Sequence, residues 1–216
     1  MYNKVLSGIL IVLLIAILGT LGYLEYGYFT KLNNEKDAEK YIDQEFDAMI
    51  VDLNQKPQET TASEQPTNNN QGGGYANTTN SGYYKGYRVA GKLEMPTIGK
   101  KFPILDESEK ASAMDVSVVK VYGPELNTPG NAVIGGHNNN NGTFFSRNKN
   151  LKIGDKIYIT DLTGRRLSYT IYEKYYTPDS DSTWFNRQSN GQIEVTLYTC
   201  DATGANRLII CARADE

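Results

Sequence analysis

The sequence predicts a mainly β fold, an eight-stranded barrel with short helices, carried behind an N-terminal transmembrane helix and a flexible linker. Three observations predict it. From residue 87 onward short apolar runs alternate with turn residues. Sixteen tyrosines against one tryptophan, with few glutamates or lysines in the second half, favour strands. Residues 5–24 run for 20 positions without a charge.

Those 20 residues, at about 1.5 Å of helical rise each, match the roughly 30 Å hydrocarbon core of a bilayer. A cleaved signal peptide has an apolar stretch of only about 7–15 residues ending in small side chains. Here Tyr23, Tyr26, Tyr28 and Phe29 follow instead, as in an interfacial aromatic belt. Residues 1–30 are therefore read as an uncleaved single-pass anchor. Lys4 flanks its short side and the other flank is richer in carboxylates, which puts the N-terminus in the cytoplasm and the remainder outside the cell membrane.

Residues 31–53 carry Ala38, Tyr41, Ile42, Phe46, Met49 and Ile50 at three- and four-residue spacing, one apolar stripe on a helix. The stripe fits a membrane-proximal stalk or a helix packed on the domain. Residues 54–86 lose all periodicity and are rich in Asn, Gly and Thr. Such a run buries too little apolar surface to fold and reads as a disordered tether.

Residues 87–216 then form the folded domain. Strands are expected at 87–95, 102–105, 116–121, 132–136, 156–161, 166–176, 193–198 and 208–212, with a hairpin turn at Asp161-Leu-Thr-Gly164 and short helices near 107–114 and 144–150. Eight short strands in so few residues argue for a closed barrel or a sandwich. A net charge of −3 gives no hint of a nucleic-acid partner, which would normally demand a basic face, and none is expected. Two cysteines in 216 residues make no disulfide framework.

Chemistry narrows to a few side chains. His137, the single histidine, follows an apolar strand and two glycines at the head of an Asn-rich loop, a place that lines clefts. Most lone histidines are plain surface residues, so it is Cys200 that gives the position weight. Cys200 ends a strand and precedes a polar turn, unlike Cys211, which lies inside the last apolar strand and reads as core. An exposed, unpaired thiol outside the cytosol points to a nucleophile, reactive as thiolate beside a cation. Arg207 begins the last strand after a six-residue turn, which brings its guanidinium beside the thiol, where it could hold a carbonyl or an oxyanion. Arg213, further along the same face, is the alternative. Cys200 and Cys211 are too far apart along a hairpin to bridge.

The run Thr196-Leu-Tyr-Thr-Cys200, with an arginine opening the following strand and Gly135-Gly-His137 and Asn141-Gly-Thr-Phe-Phe145 upstream, resembles the T-L-x-T-C active-site pattern of the sortase family. The resemblance covers about residues 90–213. It implies an eight-stranded β-barrel transpeptidase of Gram-positive bacteria. Cys200 would attack the threonyl carbonyl of an LPxTG-like sorting signal, and His137 would protonate the leaving amine and later deprotonate the incoming one. Arg207 would orient the substrate backbone, and Thr199 would contribute to the substrate pocket. The implied partners are the sorting-signal peptide of a surface protein, an amine acceptor such as a peptidoglycan precursor, and the membrane. The absence of a recognisable lid and of a C-terminal membrane helix favours wall anchoring over the pilin-polymerising class. No cofactor is implied. Some sortases take calcium, but Asp115 and Glu125 alone fall short of the six or more oxygens calcium requires. A cysteine peptidase without transfer activity would use the same residues, and a non-catalytic barrel module would leave Cys200 incidental. An L,D-transpeptidase keeps its histidine and cysteine close in sequence, unlike the 63 positions between His137 and Cys200.

Overall fold

The computed structural model describes residues 2–55, 82–106 and 111–215. Two helices come first, α1 (Tyr2–Gln44) and α2 (Phe46–Gln55), followed by nine strands: β1 (Tyr83–Tyr84), β2 (Tyr87–Met95), β3 (Lys100–Leu105), β4 (Val118–Tyr122), β5 (Gly130–Gly135), β6 (Lys156–Asp161), β7 (Arg166–Pro178), β8 (Ile193–Cys200) and β9 (Asn206–Ala214). They hydrogen-bond in the order β1-β2-β3-β4-β5-β8-β9-β7-β6, and β6 pairs back onto β2. β2 through β9 therefore close into an eight-stranded barrel, which removes every free sheet edge but the short β1. Within it β3–β4 and β5–β8 run parallel, and the other pairs are antiparallel.

Alternation along the strands fills the barrel. Leu93, Phe102, Ile104, Val118, Ile134, Ile157, Val195, Leu197 and Ile210 are fully buried in one cluster. On the opposite face of β8 and β9 a smaller cluster, Val133, Trp184, Ile209 and Cys211, is roofed by the loop between β7 and β8. Cys211 is fully buried and sits opposite Thr196, well away from Cys200. The hairpin expected at Asp161–Gly164 forms, with Gly164 at φ +83 donating to the Asp161 carbonyl at 3.1 Å. Of the short helix expected near 107–114, residues 107–110 lie outside the described residues and Ala111–Ala113 is a 3-10 turn; the other is a 3-10 helix at Phe145–Asn150.

Of the two readings of residues 31–53, the structure shows the helix packed on the domain. Nothing breaks the helix between the apolar run and Gln44, so that run and the first part of the stripe, Ala38, Tyr41 and Ile42, form one rod, while Phe46 and Met49 follow on α2 after a turn at Glu45. The stripe packs on the barrel: Ala38, Tyr41, Ile42, Phe46 and Met49 are buried in the main core, with the Tyr41 ring 4.8 Å from that of Tyr84. Carboxylates flank the stripe and meet lysines of the barrel's first strands and the turn before them: Glu35 with Lys100, Asp43 with Lys101, Asp37 with Lys85 at 2.6 Å and Asp47 with Lys92 at 3.3 Å. Burial pushes the Glu35 carboxyl up even with Lys100 against it.

The linker expected over 54–86 lies, for residues 56–81, outside the described residues. At its ends the chain is ordered. Asn54 and Gln55 close α2, and Tyr83–Tyr84 pair with Tyr87 and Arg88 across a two-residue turn. Both turn residues, Lys85 (φ +48) and Gly86 (φ +82), are left-handed, the backbone that matches strand twist in a tight hairpin. By contrast, the 22 residues from Leu6 to Gly27 of α1 are all exposed.

Candidate active site

Because β5 and β8 are parallel neighbours, their carboxyl ends meet at one rim of the barrel. The register pairs Gly135 with Tyr198, and the Gly136 N–H continues it by donating to the Tyr198 carbonyl at 3.2 Å. Two residues past the last pair on each strand come His137 and Cys200. β9 runs back from the same rim with Arg207 directly opposite Cys200. Facing residues of an antiparallel pair point to one side of the sheet. The register thus places at one rim the three residues that the sequence singled out, from strands separated by 63 positions and a crossover through β6 and β7.

Local sequence explains how each is held. A Cβ on Gly135 would stand 2.5 Å from the Tyr198 ring, and one on Gly136 would stand 2.8 Å from the Phe145 ring, so both positions before His137 need glycine for close packing. After His137 the Asn-rich loop folds back on itself. Asn138 bridges to Phe144, Phe145 N–H donates to the His137 carbonyl at 3.0 Å, and Asn139 N–H donates to Ser146 Oγ at 3.0 Å. Phe144 takes φ +47, an unfavourable backbone for a bulky residue, and its buried ring stacks 6.1 Å from Phe102. The Asn-Gly-Thr-Phe-Phe run is the brace of the histidine loop.

Thr199 is 2% exposed, and its hydroxyl donates to the Gly136 carbonyl at 2.6 Å. That bond ties the residue before Cys200 to the residue before His137. Asn138 Nδ2 donates to the Cys200 carbonyl at 2.9 Å, a second cross-strand tie. The turn from Cys200 to Arg207 is fixed by Asp201. Its carboxylate accepts from Asn206 Nδ2 at 2.8 Å, Thr203 Oγ1 at 2.8 Å and Thr203 N–H at 3.0 Å. These bonds, Asn206 first, hold its carboxyl down at about 2.

Cys200 is half-buried and unpaired, at the wall of a small cleft of about 70 Å³ that Asn138, Ser146, Tyr176, Thr199 and Leu208 also line. Arg207, with its side chain 20% exposed, meets Asp179 of the β7–β8 loop at 2.5 Å and donates to the Gly204 carbonyl at 3.2 Å. Burial pushes the hydroxyl of neighbouring Tyr198 up, with Arg207 pulling the other way. The alternative cation, Arg213, is at the far end of β9 and committed to buried Glu194 at 2.7 Å, a partner it shares with Arg187.

Two contacts carry no local signal in the sequence. Asp115 Oδ1 lies 3.3 Å from His137 Nε2, and Asp179 meets Arg207 as described. Asp115 therefore turns to the imidazole, while Glu125 turns to Lys120 at 3.4 Å. Among the described residues no three His, Cys, Asp or Glu side chains gather as a metal site. Other concavities are larger, and one of them borders the loop after His137 and its partner Asp115. One of about 740 Å³ opens near Tyr122, Asn131 and Phe185 at the opposite end of β5, with no histidine or cysteine in its wall. Another of about 640 Å³ separates Tyr23–Asn34 of α1 from Asp115, Asn139 and Asn141. The chemistry, not the volume, marks the site.

The sortase domain model matches residues 93–215. The chain is 29% identical over 114 residues to sortase A of Bacillus anthracis, covering 52% of each chain, so it spans about half the length of that curated relative. Among solved structures, a lid mutant of sortase A from Corynebacterium diphtheriae aligns with TM-score 0.54 and 26% identity over 60% of this chain and 72% of that one. Sortase C-1 from Actinomyces oris, at 23% identity, shares the fold with TM-score 0.53 over 59% and 74%.

Proposed function

The chain belongs to the sortase family, and on that premise we propose that it is a membrane-anchored cysteine transpeptidase that cleaves an LPxTG-like sorting signal and passes the cut protein to an amine of a cell wall precursor. The observation that carries this reading is the meeting of Cys200, Arg207 and His137 at one barrel rim, with Arg207 opposite Cys200 in the β8–β9 register.

In the proposed reaction the Cys200 thiolate attacks the carbonyl carbon of the substrate threonine. The carbonyl electrons move onto oxygen, where the Arg207 guanidinium can stabilise them. The C–N bond then breaks and the leaving glycine amine takes a proton from His137, leaving a thioester. An incoming amine attacks that thioester, His137 accepts the proton it sheds, and the C–S bond breaks to regenerate the thiolate. Thr199 forms part of the cleft wall beside the sulfur. At about 70 Å³ this cleft is far below the roughly 300–1,000 Å³ of a small-molecule pocket. It suits a single substrate side chain, with the rest of the peptide lying along the open surface.

Residues 5–24 would cross the bilayer with the N-terminus inside and the barrel outside. Length, apolarity and complete exposure of the described part of that run support the placement. The deciding experiment gives the full chain, in detergent, a fluorogenic sorting peptide with and without a glycine amine. A new amide product that grows with amine concentration and disappears in Cys200→Ala is expected. A product ratio indifferent to amine would leave a peptidase.

A further inference from the structure

The chain carries one imidazole, and a carboxylate from outside the reacting strands faces it. Asp115 sits in the turn between the 3-10 turn Ala111–Ala113 and β4, where its N–H donates to the Ser112 carbonyl at 3.3 Å and Val116 N–H donates to the Ala113 carbonyl at 3.0 Å. The first helix holds that turn. Asn34 donates from Nδ2 to the Asp115 carbonyl at 2.9 Å. Asn34 is itself oriented by Lys85, whose ammonium donates to Asn34 Oδ1 at 3.1 Å and to Asp37 at 2.6 Å. One turn earlier on the helix, Lys31 reaches Asn139 Oδ1 at 2.9 Å, in the loop that follows His137. A helix outside the barrel therefore grips both the carboxylate's turn and the imidazole's loop.

A carboxylate only accepts hydrogen bonds, so a neutral ring that presents Nε2 to it carries its proton there. We propose that Asp115 is a positioning residue that holds His137 in the Nε2–H form, leaving Nδ1 as the nitrogen that exchanges protons with substrate, and that α1 sets the carboxylate in place through Asn34. At 3.3 Å the two atoms are at ion-pair distance rather than in a made hydrogen bond, and such contacts commonly close only when substrate tightens a site. The protons balance without any change at Asp115. When the C–N bond of the sorting signal breaks, the leaving amine takes the Nδ1 proton of the imidazolium. When the acceptor nitrogen bonds to the thioester carbon and the C–S bond breaks, Nδ1 takes the proton that the acceptor loses. Nε2–H stays on Asp115 throughout. The inference rests on the acid–base reading of His137.

The test uses the full chain in detergent with ¹⁵N-labelled histidine, where a single ring gives the only imidazole signals. Two-bond ¹⁵N–¹H spectra above the ring's titration should show Nε2 protonated and Nδ1 bare, and Asp115→Ala should move both toward the average of exchanging tautomers. Both partners are partly exposed, so kcat should fall about 2- to 5-fold, the range of an exposed charge pair, with KM within about twofold. Asp115→Glu should recover most of that loss, and Asn34→Ala, which spares the carboxylate should Asp115→Ala not fold, should lose less with the same sign. Unchanged nitrogen shifts in Asp115→Ala, a protonated Nδ1 in the parent, or a loss confined to KM would overturn the inference. Retained activity in His137→Ala would instead sink the acid–base reading. Full kcat in Asp115→Ala beside an inactive His137→Ala would sink this inference alone.

Discussion

The tie between Thr199 and Gly136 yields a quantitative expectation. Thr199→Val keeps shape and β-branching but removes the hydroxyl that donates 2.6 Å to the Gly136 carbonyl in a buried setting. Losing such a bond and leaving its acceptor dry costs about 1–2 kcal/mol. For a body of this size that lowers the melting midpoint by roughly 3–8 °C, and the protein stays folded at 25 °C. Activity should suffer more than stability, because the bond joins the residues immediately before Cys200 and His137. Displacing reacting groups by about 1 Å can cost up to about 100-fold, and partial relaxation of two strand ends should cost about 10-fold in kcat/KM. Thr196→Val supplies the comparison. Its hydroxyl, fully buried on the same strand, donates to Asn131 Oδ1 at 2.9 Å, four residues from the thiol. It should lose similar stability with kcat/KM within about twofold. Thermal melts and peptide-cleavage kinetics on both variants decide the matter. Equal activity losses in the two, or a Thr199→Val enzyme keeping more than half its kcat/KM, would refute the idea that this bond sets the separation of sulfur and imidazole.

Three further outcomes follow from the same geometry. Burial pushes the Cys211 thiol up to about 11, so iodoacetamide at pH 7 should add once to the native chain, at Cys200, and a second time only after denaturation; a native double adduct, found by mass spectrometry, would contradict the packing. If Arg207 holds the substrate as proposed, Asp179 competes for it through a partly exposed pair, so Asp179→Asn should lower KM for the sorting peptide by up to about 5-fold, and a raised KM would show that Asp179 presents the guanidinium instead. Hydrogen bonds and Lys156 hold the carboxyls of Asp201 and Asp215 down at about 2, against about 3.9 unfolded, so the unfolded chain binds more protons between those values. That stability is present above about pH 4 and lost as pH falls toward 2. Asp201→Asn should show a shallower fall of melting midpoint across that window than its parent; parallel curves would count against it, and the comparison cancels Glu35, whose raised carboxyl acts in the opposite sense.

How much of this was legible in the sequence depended on where each signal lay. The eight barrel strands were readable because their apolar runs are bounded by Gly, Pro and Asn, and the observed strands fall close to those bounds. Cys200, Arg207 and His137 stood out because a strand-end thiol, a hairpin arginine and a lone imidazole each have a local pattern. The parallel β5–β8 pairing that joins them has none. The stripe from Ala38 to Met49 announced that a helix face is covered, yet not by what, since any apolar partner satisfies the same periodicity. Asp115 was invisible as a histidine partner for a related reason: a carboxylate in an irregular turn meets a ring 22 positions on only after the barrel closes. The Tyr83–Tyr84 hairpin hid inside a polar stretch because its turn, Lys-Gly, differs from the usual Asn-Gly signature.

The unbroken first helix fixes a height as well as a contact. Lys31, which grips the loop after His137, stands seven residues beyond Leu24, and at about 1.5 Å per residue that is only about 10 Å past the end of the uncharged run. If that run lies in a bilayer as proposed, the rim that carries His137 and Cys200 would sit at the level of the lipid headgroups, and a substrate would have to offer its scissile bond there. On the proposed placement, the barrel would meet its substrates at the membrane surface rather than out in the wall.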